Sequence, residues 1–279
     1  MGRETTRLVT REGVTFITFR LLDETGIVRD AFSTRKGGVS RGIFDSMNLN
    51  FNRGDDEAAV KENFARMGRA LGIEPADMVM SQQTHTSNVI RVYDSDRGNG
   101  ITGPQRYRDV DGLVTDIPGI ALVTSHADCV PLFFVDPVRR AIGLSHSGWK
   151  GTAARIGAAT VEKMRQEFGS RPEDIRAAIG PSICRNCYEV GEDVAQEFRR
   201  TFSARECRQI LLPGKPGKYM LDLWRANQII LTDSGLIPDH IAVTDICTSC
   251  GGDLLWSHRK TKGRRGGMAA FLQLLPADQ

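Results

Sequence analysis

The stretch that decides the fold reads His126-Ala-Asp-Cys-Val-Pro-Leu-Phe-Phe-Val-Asp-Pro-Val-Arg-Arg-Ala-Ile-Gly-Leu-Ser-His146-Ser-Gly-Trp-Lys-Gly-Thr152. It divides into an apolar run, an Asp136-Pro137 turn and a second apolar run. Proline at the second turn position presets φ for a type I turn, so two antiparallel strands are expected. If Asp136 and Arg139 close the turn, counting outward pairs Val135 with Arg140 and Cys129 with His146. A thiol and an imidazole then face each other across neighbouring strands, close enough to share a proton or a metal ion. Pro131 is where a bulge would slip that register.

Outward from this segment, residues 14–19 and 27–32 carry β-type runs. Asp55 and Asp56 are N-cap candidates for a helix to about Leu71, with Val60, Phe64, Met67 and Leu71 on one face. Residues 79–92 read as strand or loop. Thr152 is expected to cap a helix ending at Phe168, with Gly169 as its stop. Helices are expected over 192–202 and 221–236, and strands over 175–179, 241–247 and 269–275. Strands and helices mix without strict βαβ alternation, which predicts an α+β class. The expectation is a single domain, 1–279, of mixed β-sheets flanked by helices. Neither a dinucleotide fingerprint nor a Walker loop is present.

Composition narrows the function. A net charge of +3 over 279 residues is too mild to argue for nucleic acid. No apolar run reaches the length of a membrane span. The polar stretch 1–10 lacks the apolar core of a signal peptide, so a cytoplasmic protein is expected. There, six cysteines read as thiols or metal ligands rather than disulfides.

Two imidazoles and a thiolate, from His85, Cys129 and His146, suit a zinc ion that keeps a fourth position open for water or substrate. Copper accepts the same ligands. The competing reading is a satisfied core histidine and an inert cysteine. Against it, Ser145, Ser147, Gly148 and Gly151 leave space and free amides around His146. On a regular strand His126 and Asp128 point away from Cys129, so His126 is left out of the metal site. Asp128 is a candidate to orient a ligand or act as a base, or simply to bond loop backbone. Cys184/Cys187 and Cys247/Cys250 form two Cys-x-x-Cys pairs, the signature of a structural zinc site. The 59 residues between them exceed the usual ribbon spacing, and buried cysteines acting as small hydrophobes are the alternative. The basic turns 35–38 and 258–267 are candidate anion sites or solvated loops.

Several motifs in order resemble the YfiH-like family, also called the laccase-domain or multicopper polyphenol oxidase family, now associated with purine nucleoside phosphorylase activity. They are Phe32-Ser-Thr-Arg-Lys-Gly-Gly-Val-Ser40, Asn48-Leu-Asn50, Gln82-Gln-Thr-His85, Asp111-Gly-Leu-Val-Thr115 and Ala127-Asp-Cys-Val-Pro-Leu132. His146-Ser-Gly-Trp-Lys-Gly-Thr152, Ile179-Gly-Pro-Ser-Ile183, Tyr188-Glu-Val-Gly191, Ser257-His-Arg259 and Met268-Ala-Ala270 follow. The resemblance implies that His85, Cys129 and His146 bind a catalytic zinc, and that Gln83, Arg35 and Asn48 share the active site as substrate-binding residues. It implies purine nucleoside and phosphate as partners: adenosine, inosine and methylthioadenosine as phosphorolysis substrates, and adenosine for deamination. Arg35-Lys36 is then a candidate phosphate loop, and Asp128 a candidate proton shuttle. Two departures stand out: Lys150 where relatives commonly have arginine, and Gly263-Arg-Arg-Gly-Gly-Met where Thr-Gly-Arg-Met is frequent.

Three rival readings remain. A copper-dependent polyphenol oxidase needs several coppers and more than five histidines. A metal-free Cys129–His146 hydrolase, acting in peptidoglycan precursor editing, survives chelation. A non-enzymatic anion-binding module shows salt-sensitive binding without turnover.

Overall fold

Every residue from Val130 to Asp136 is buried, which a strand achieves only when both its faces are covered. The computed structural model describes residues 5–277, so residues 1–4 of the polar N-terminal stretch lie outside it. In it, Leu132 and Phe134 face a layer of helices, while Phe133 and Val135 face a second sheet. One six-stranded sheet runs Ile241–Val243, Arg176–Ile179, Val130–Asp136, Ala141–Ser147, Gly112–Thr115, Val89–Arg91. The other runs Thr6–Arg11, Val14–Phe19, Val28–Ser33, Met268–Leu274, Ala121–His126, Met78–Met80. Both mix parallel and antiparallel pairs. A small three-stranded sheet, Glu189–Gly191, Lys218–Leu221 and Leu211–Pro213, stands beside them.

Three apolar cores separate four layers. Phe19, Phe32, Leu122, Ile142, Leu144 and Leu272 join Phe133 and Val135 between the sheets. The outer face of the first sheet packs on helices Ile156–Phe168 and Leu223–Asp233, and helix Glu192–Thr201 packs against the small sheet. The outer face of the second packs on helix Glu57–Leu71 through Val60, Phe64 and Met67. That helix begins where expected: the Asp56 carboxylate accepts from Ala58 N at 3.0 Å. Gly72, at φ 67°, ends it in the left-handed conformation that glycine adopts without a Cβ penalty. The mixed sheets with flanking helices match the expected fold class.

The hairpin departs from the expected register. Its turn holds residues 137–140, because Asp136 pairs with Ala141 and Val135 with Ile142. Asp136 Oδ1 accepts from the amides of Val138 and Arg139, each at 2.9 Å, and Arg140 turns the chain back at φ 50°. Pro131 therefore faces His146 with no bulge. The shift is two residues, so side-chain faces are preserved and His146 still points between the sheets. Cys129 lies just beyond the strand's end.

His126 does not continue that strand. It ends Ala121–His126 of the other sheet, and residues 127–129 form the turn that crosses between sheets, with Asp128 at φ 78°. Thr152 does not cap the following helix but lies within a short one, Trp149–Ala153, where its hydroxyl bonds Ser147 Oγ at 2.8 Å. Helix Ile156–Phe168 starts instead after Arg155, at φ 56°. The strand expected over 241–247 stops at Val243, before Asp245 at φ 52°. Among the described residues no helix is long and apolar enough to cross a membrane.

Phe133 is fully buried between the sheets, its ring centroid 4.5 Å from that of Phe19. Phe133→Ala is expected to cost about 3–5 kcal/mol in urea or thermal unfolding. Val138→Ser at the exposed hairpin tip should change stability by less than about 0.5 kcal/mol. Equal effects would contradict the double-sided burial.

Candidate metal centre

The turn between sheets presents Cys129, the return strand of the hairpin presents His146, and the loop between Met78–Met80 and Val89–Arg91 presents His85 at φ 67°. Their donor atoms lie within 4.8 Å of one another, with Cys129 Sγ 3.9 Å from His85 Nε2. The group grades from buried His146 to exposed His85. Gly148 makes the approach feasible: a Cβ there would sit 2.7 Å from His85 Cδ2 and 3.1 Å from Cys129 Sγ. These three side chains can hold a metal ion.

Behind them stands Asp111, a fully buried carboxylate. It accepts from the amides of Thr84, His85 and Thr86 at 3.0, 3.0 and 2.9 Å. His146 Nδ1 lies 2.8 Å from its Oδ1, so Nε2 is the ring nitrogen left for a ligand. Burial pushes the Asp111 carboxyl up, but the His146 contact and the amides outweigh it and hold it at about 2. Burial likewise disfavours charged His146, yet Cys129 and Asp111 raise it to about 9. Cys129, opposed by burial but favoured by both histidines, falls to about 6. Without a metal both shifts favour a thiolate beside an imidazolium.

His126 is part of the wall and not of the donor group. Its ring nitrogens meet Thr124 Oγ1 at 2.8 Å and Cys129 O at 3.1 Å, and burial pushes it well below its usual range, leaving it neutral. Asp128 has both carboxylate oxygens engaged, by Thr248 Oγ1 at 2.6 Å and Arg259 N at 2.7 Å. Gln83 lines the cavity, its carboxamide paired with the backbone of Ser125 in both directions at 2.7 and 3.0 Å. Arg35 and Asn48 are not lining residues. Arg35 bonds Asp45 O and lies 5.3 Å over the Trp256 ring. Buried Asn48 donates to Asp55 and accepts from Gly267 N at 2.8 Å. Lys150 is exposed and lies over Trp149, away from the cavity wall.

The cavity beside the donor group has a volume of about 930 Å³. Four cations line it: Arg53, Lys61, Arg108 and Arg265. Lys61 pairs with Glu57. Among the described residues Arg53 and Arg265 bond only neutral groups: Gly263 O for Arg53, Gly266 O and His258 Nδ1 for Arg265. Exposed Arg108 has no ion-pair partner and Arg265 Nε is buried without a hydrogen-bond partner among those residues. Burial and the nearby Arg53 charge lower Arg265 to about 10. Sequence reading assigned no role to Asp111, though its motif was noticed, and missed Arg53; nothing local in the sequence marks either.

Residues 29–275 match the family described as multi-copper polyphenol oxidoreductase laccase. Purine nucleoside phosphorylase YlmD from Bacillus subtilis is 36% identical over 88% of each chain. A purine nucleoside phosphorylase from Deinococcus radiodurans is 39% identical over 88% of this chain and 89% of its own. An adenosine deaminase from an unknown prokaryotic organism is 34% identical over 83% and 88%. The crystal structure of YlmD from Geobacillus stearothermophilus superposes with a TM-score of 0.91 at 34% identity, covering 98% of this chain and 100% of that one. The chain belongs to the multi-copper polyphenol oxidoreductase laccase family, the YfiH-like family whose motifs it carries.

Proposed function

We propose that this protein is a zinc-dependent purine nucleoside phosphorylase, acting on adenosine, inosine and methylthioadenosine, that also deaminates adenosine. The observation that carries the reading is a single cavity holding both a His-Cys-His donor group and three guanidiniums, of Arg53, Arg108 and Arg265, without carboxylate partners among the described residues. Names of similar proteins supply the substrate class. The cavity volume of about 930 Å³ accommodates a nucleoside with a phosphate beside it.

His85, Cys129 and His146 would hold the zinc. Their donor chemistry fits: three protein ligands, one side open to the cavity, and a carboxylate orienting a ligand histidine from behind. When bound, the ion supplies Lewis acidity toward an oxygen of the reactants. Arg53 and Arg265 hold phosphate near the anomeric carbon. A phosphate oxygen then bonds to that carbon as its bond to the purine breaks, and the purine leaves with the electron pair and takes up a proton. Gln83, fixed by Ser125, contacts the substrate. Asn48 acts one step back by anchoring Gly267 and hence the segment that carries Arg265, and Arg35 braces the neighbouring loop. Asp128, with both oxygens occupied, positions the Cys129 turn; the geometry favours this over proton shuttling.

A laccase-type oxidase is disfavoured because among the described residues only two histidines join a metal-capable group. The Cys129–His146 ion pair favours the metal-free hydrolase as second reading, and chelation separates the two. Six free cysteines fit the reducing cytoplasm.

Product chromatography of adenosine and inosine reactions tests the assignment. Free base with ribose-1-phosphate is expected only with phosphate present, and is lost in Cys129→Ala. Inosine from adenosine without phosphate reports the deaminase. Activity undiminished by complete zinc removal would sink the zinc reading. Arg265→Ala is expected to raise KM for phosphate by at least about tenfold, the worth of one charge-assisted hydrogen bond, with deamination largely retained. Equal losses in both reactions would place Arg265 elsewhere. In metal-stripped protein, Cys129 is thiolate above pH about 6 and thiol below it. Alkylation resolved to the Cys129 peptide should therefore rise through pH about 6, and the midpoint should move up in Asp111→Asn. A wild-type midpoint near the ordinary thiol value of about 8.5 would contradict the ion pair.

A further inference from the structure

Cys184, Cys187, Cys247 and Cys250 lie outside the cavity, and nothing in the proposed chemistry uses them. They meet in space because strands Arg176–Ile179 and Ile241–Val243 run side by side in parallel. A bridge between Ser182 and Cys247 extends the pairing past the strands' ends. Each strand thus delivers its Cys-x-x-Cys turn to the same end of the sheet.

The four sulfurs lie within 4.8 Å of one another, with Cys184 Sγ 3.9 Å from Cys250 Sγ. All four cysteines are free, and a disulfide would need sulfurs about 2.05 Å apart. Tetrahedral thiolates about 2.3 Å from one zinc ion stand about 3.8 Å from each other. The quartet is sized for a single ion; a polynuclear iron–sulfur cluster spreads its cysteines wider.

The backbone is built for the same purpose. Cys247 Sγ accepts from three amides: Cys184 at 3.2 Å, Ser249 at 3.3 Å and Cys250 at 3.4 Å. Three donors on one sulfur favour a thiolate, the form that ligates metal. Gly251 permits the tight turn, since a Cβ there would sit 2.2 Å from Cys247 O. Four protein ligands leave no position for substrate, which marks a structural rather than a catalytic site.

The residues flanking the quartet reach the metal centre. Ile183, one before Cys184, donates its amide to Asp128 O at 3.0 Å. Thr248, one after Cys247, donates its hydroxyl to Asp128 Oδ1 at 2.6 Å. Asp128 adjoins Cys129, so both knuckles grip the turn that presents the thiolate.

We propose that Cys184, Cys187, Cys247 and Cys250 bind one structural zinc ion, distinct from the His85–Cys129–His146 site, that locks together the two loops holding the Cys129 turn. The proposal stands whether or not the cavity acts on purine nucleosides. The full-length protein is assayed for zinc and by X-ray absorption as wild type, as His85→Ala/His146→Ala and as Cys184→Ser/Cys187→Ser. The histidine variant is expected to keep about one zinc per chain in an all-sulfur shell. The cysteine variant should lose that zinc and melt at lower temperature. If it does not fold, the histidine variant alone decides. A folded histidine variant without zinc, with a mixed nitrogen–sulfur shell, or with an iron chromophore in its place would overturn the proposal.

Discussion

A carboxylate buried away from water must be satisfied by several donors or it shifts the fold around it. Asp111 is that group here, and the geometry of the candidate metal centre depends on it. Its oxygens collect the amides of residues 84–86 and the imidazole of His146. One side chain thereby fixes the loop that carries His85 and the tautomer of His146 together. The positive φ of His85, costly for a non-glycine residue, persists because its own amide and both neighbours' amides are bound to that carboxylate. Preorganisation of this kind sets ligand positions before any ion arrives.

The third candidate donor depends on a different constraint. Cys129 stands on the turn where the chain leaves one sheet and enters the other, and both sheets share an apolar core. The turn cannot drift without disturbing strands buried on two faces. Asp128, at positive φ, converts this crossing into a fixed corner: its carboxylate binds Thr248 and Arg259, and its carbonyl binds Ile183. Packing supplies rigidity at the base of the turn, and hydrogen bonds supply direction at its tip.

Much of this was legible in the chain itself. The helix from Glu57 is announced by Asp56 and by Val60, Phe64 and Met67 on one face. The hairpin is announced by its apolar runs, yet its register was not, because the turn length is set by the Asp136 carboxylate and the left-handed Arg140, which counting ignores. The two-residue shift preserves side-chain faces but sets Pro131, not Cys129, opposite His146. Asp111 escaped notice as a participant because it meets His146 from 35 residues away, through a sheet pairing that no local pattern encodes. The cysteine pairs looked too far apart for one site because their closeness comes from parallel neighbouring strands, and parallel pairing leaves no spacing signature. Arg35 and Asn48 illustrate the converse. Both carry motif residues, but their polar atoms are spent on loop backbone and neighbouring side chains.

The distribution of charge completes the argument for a ligand site. Some cations on this protein find carboxylates, as Arg91 does with Asp116 and Glu167, and Arg97 with Asp77 and Asp94, while others such as Arg29 and Arg140 bond neutral carbonyls. In the cavity the Arg53 charge opposes that of Arg265, partly offset by Asp128 and Cys129, and Arg265 leaves a buried nitrogen without a partner among the described residues. Such an arrangement opposes folding, since like charges repel and an unpaired buried donor costs about 1–3 kcal/mol. An anion binding between them would remove both penalties at once, so the strain is converted into affinity.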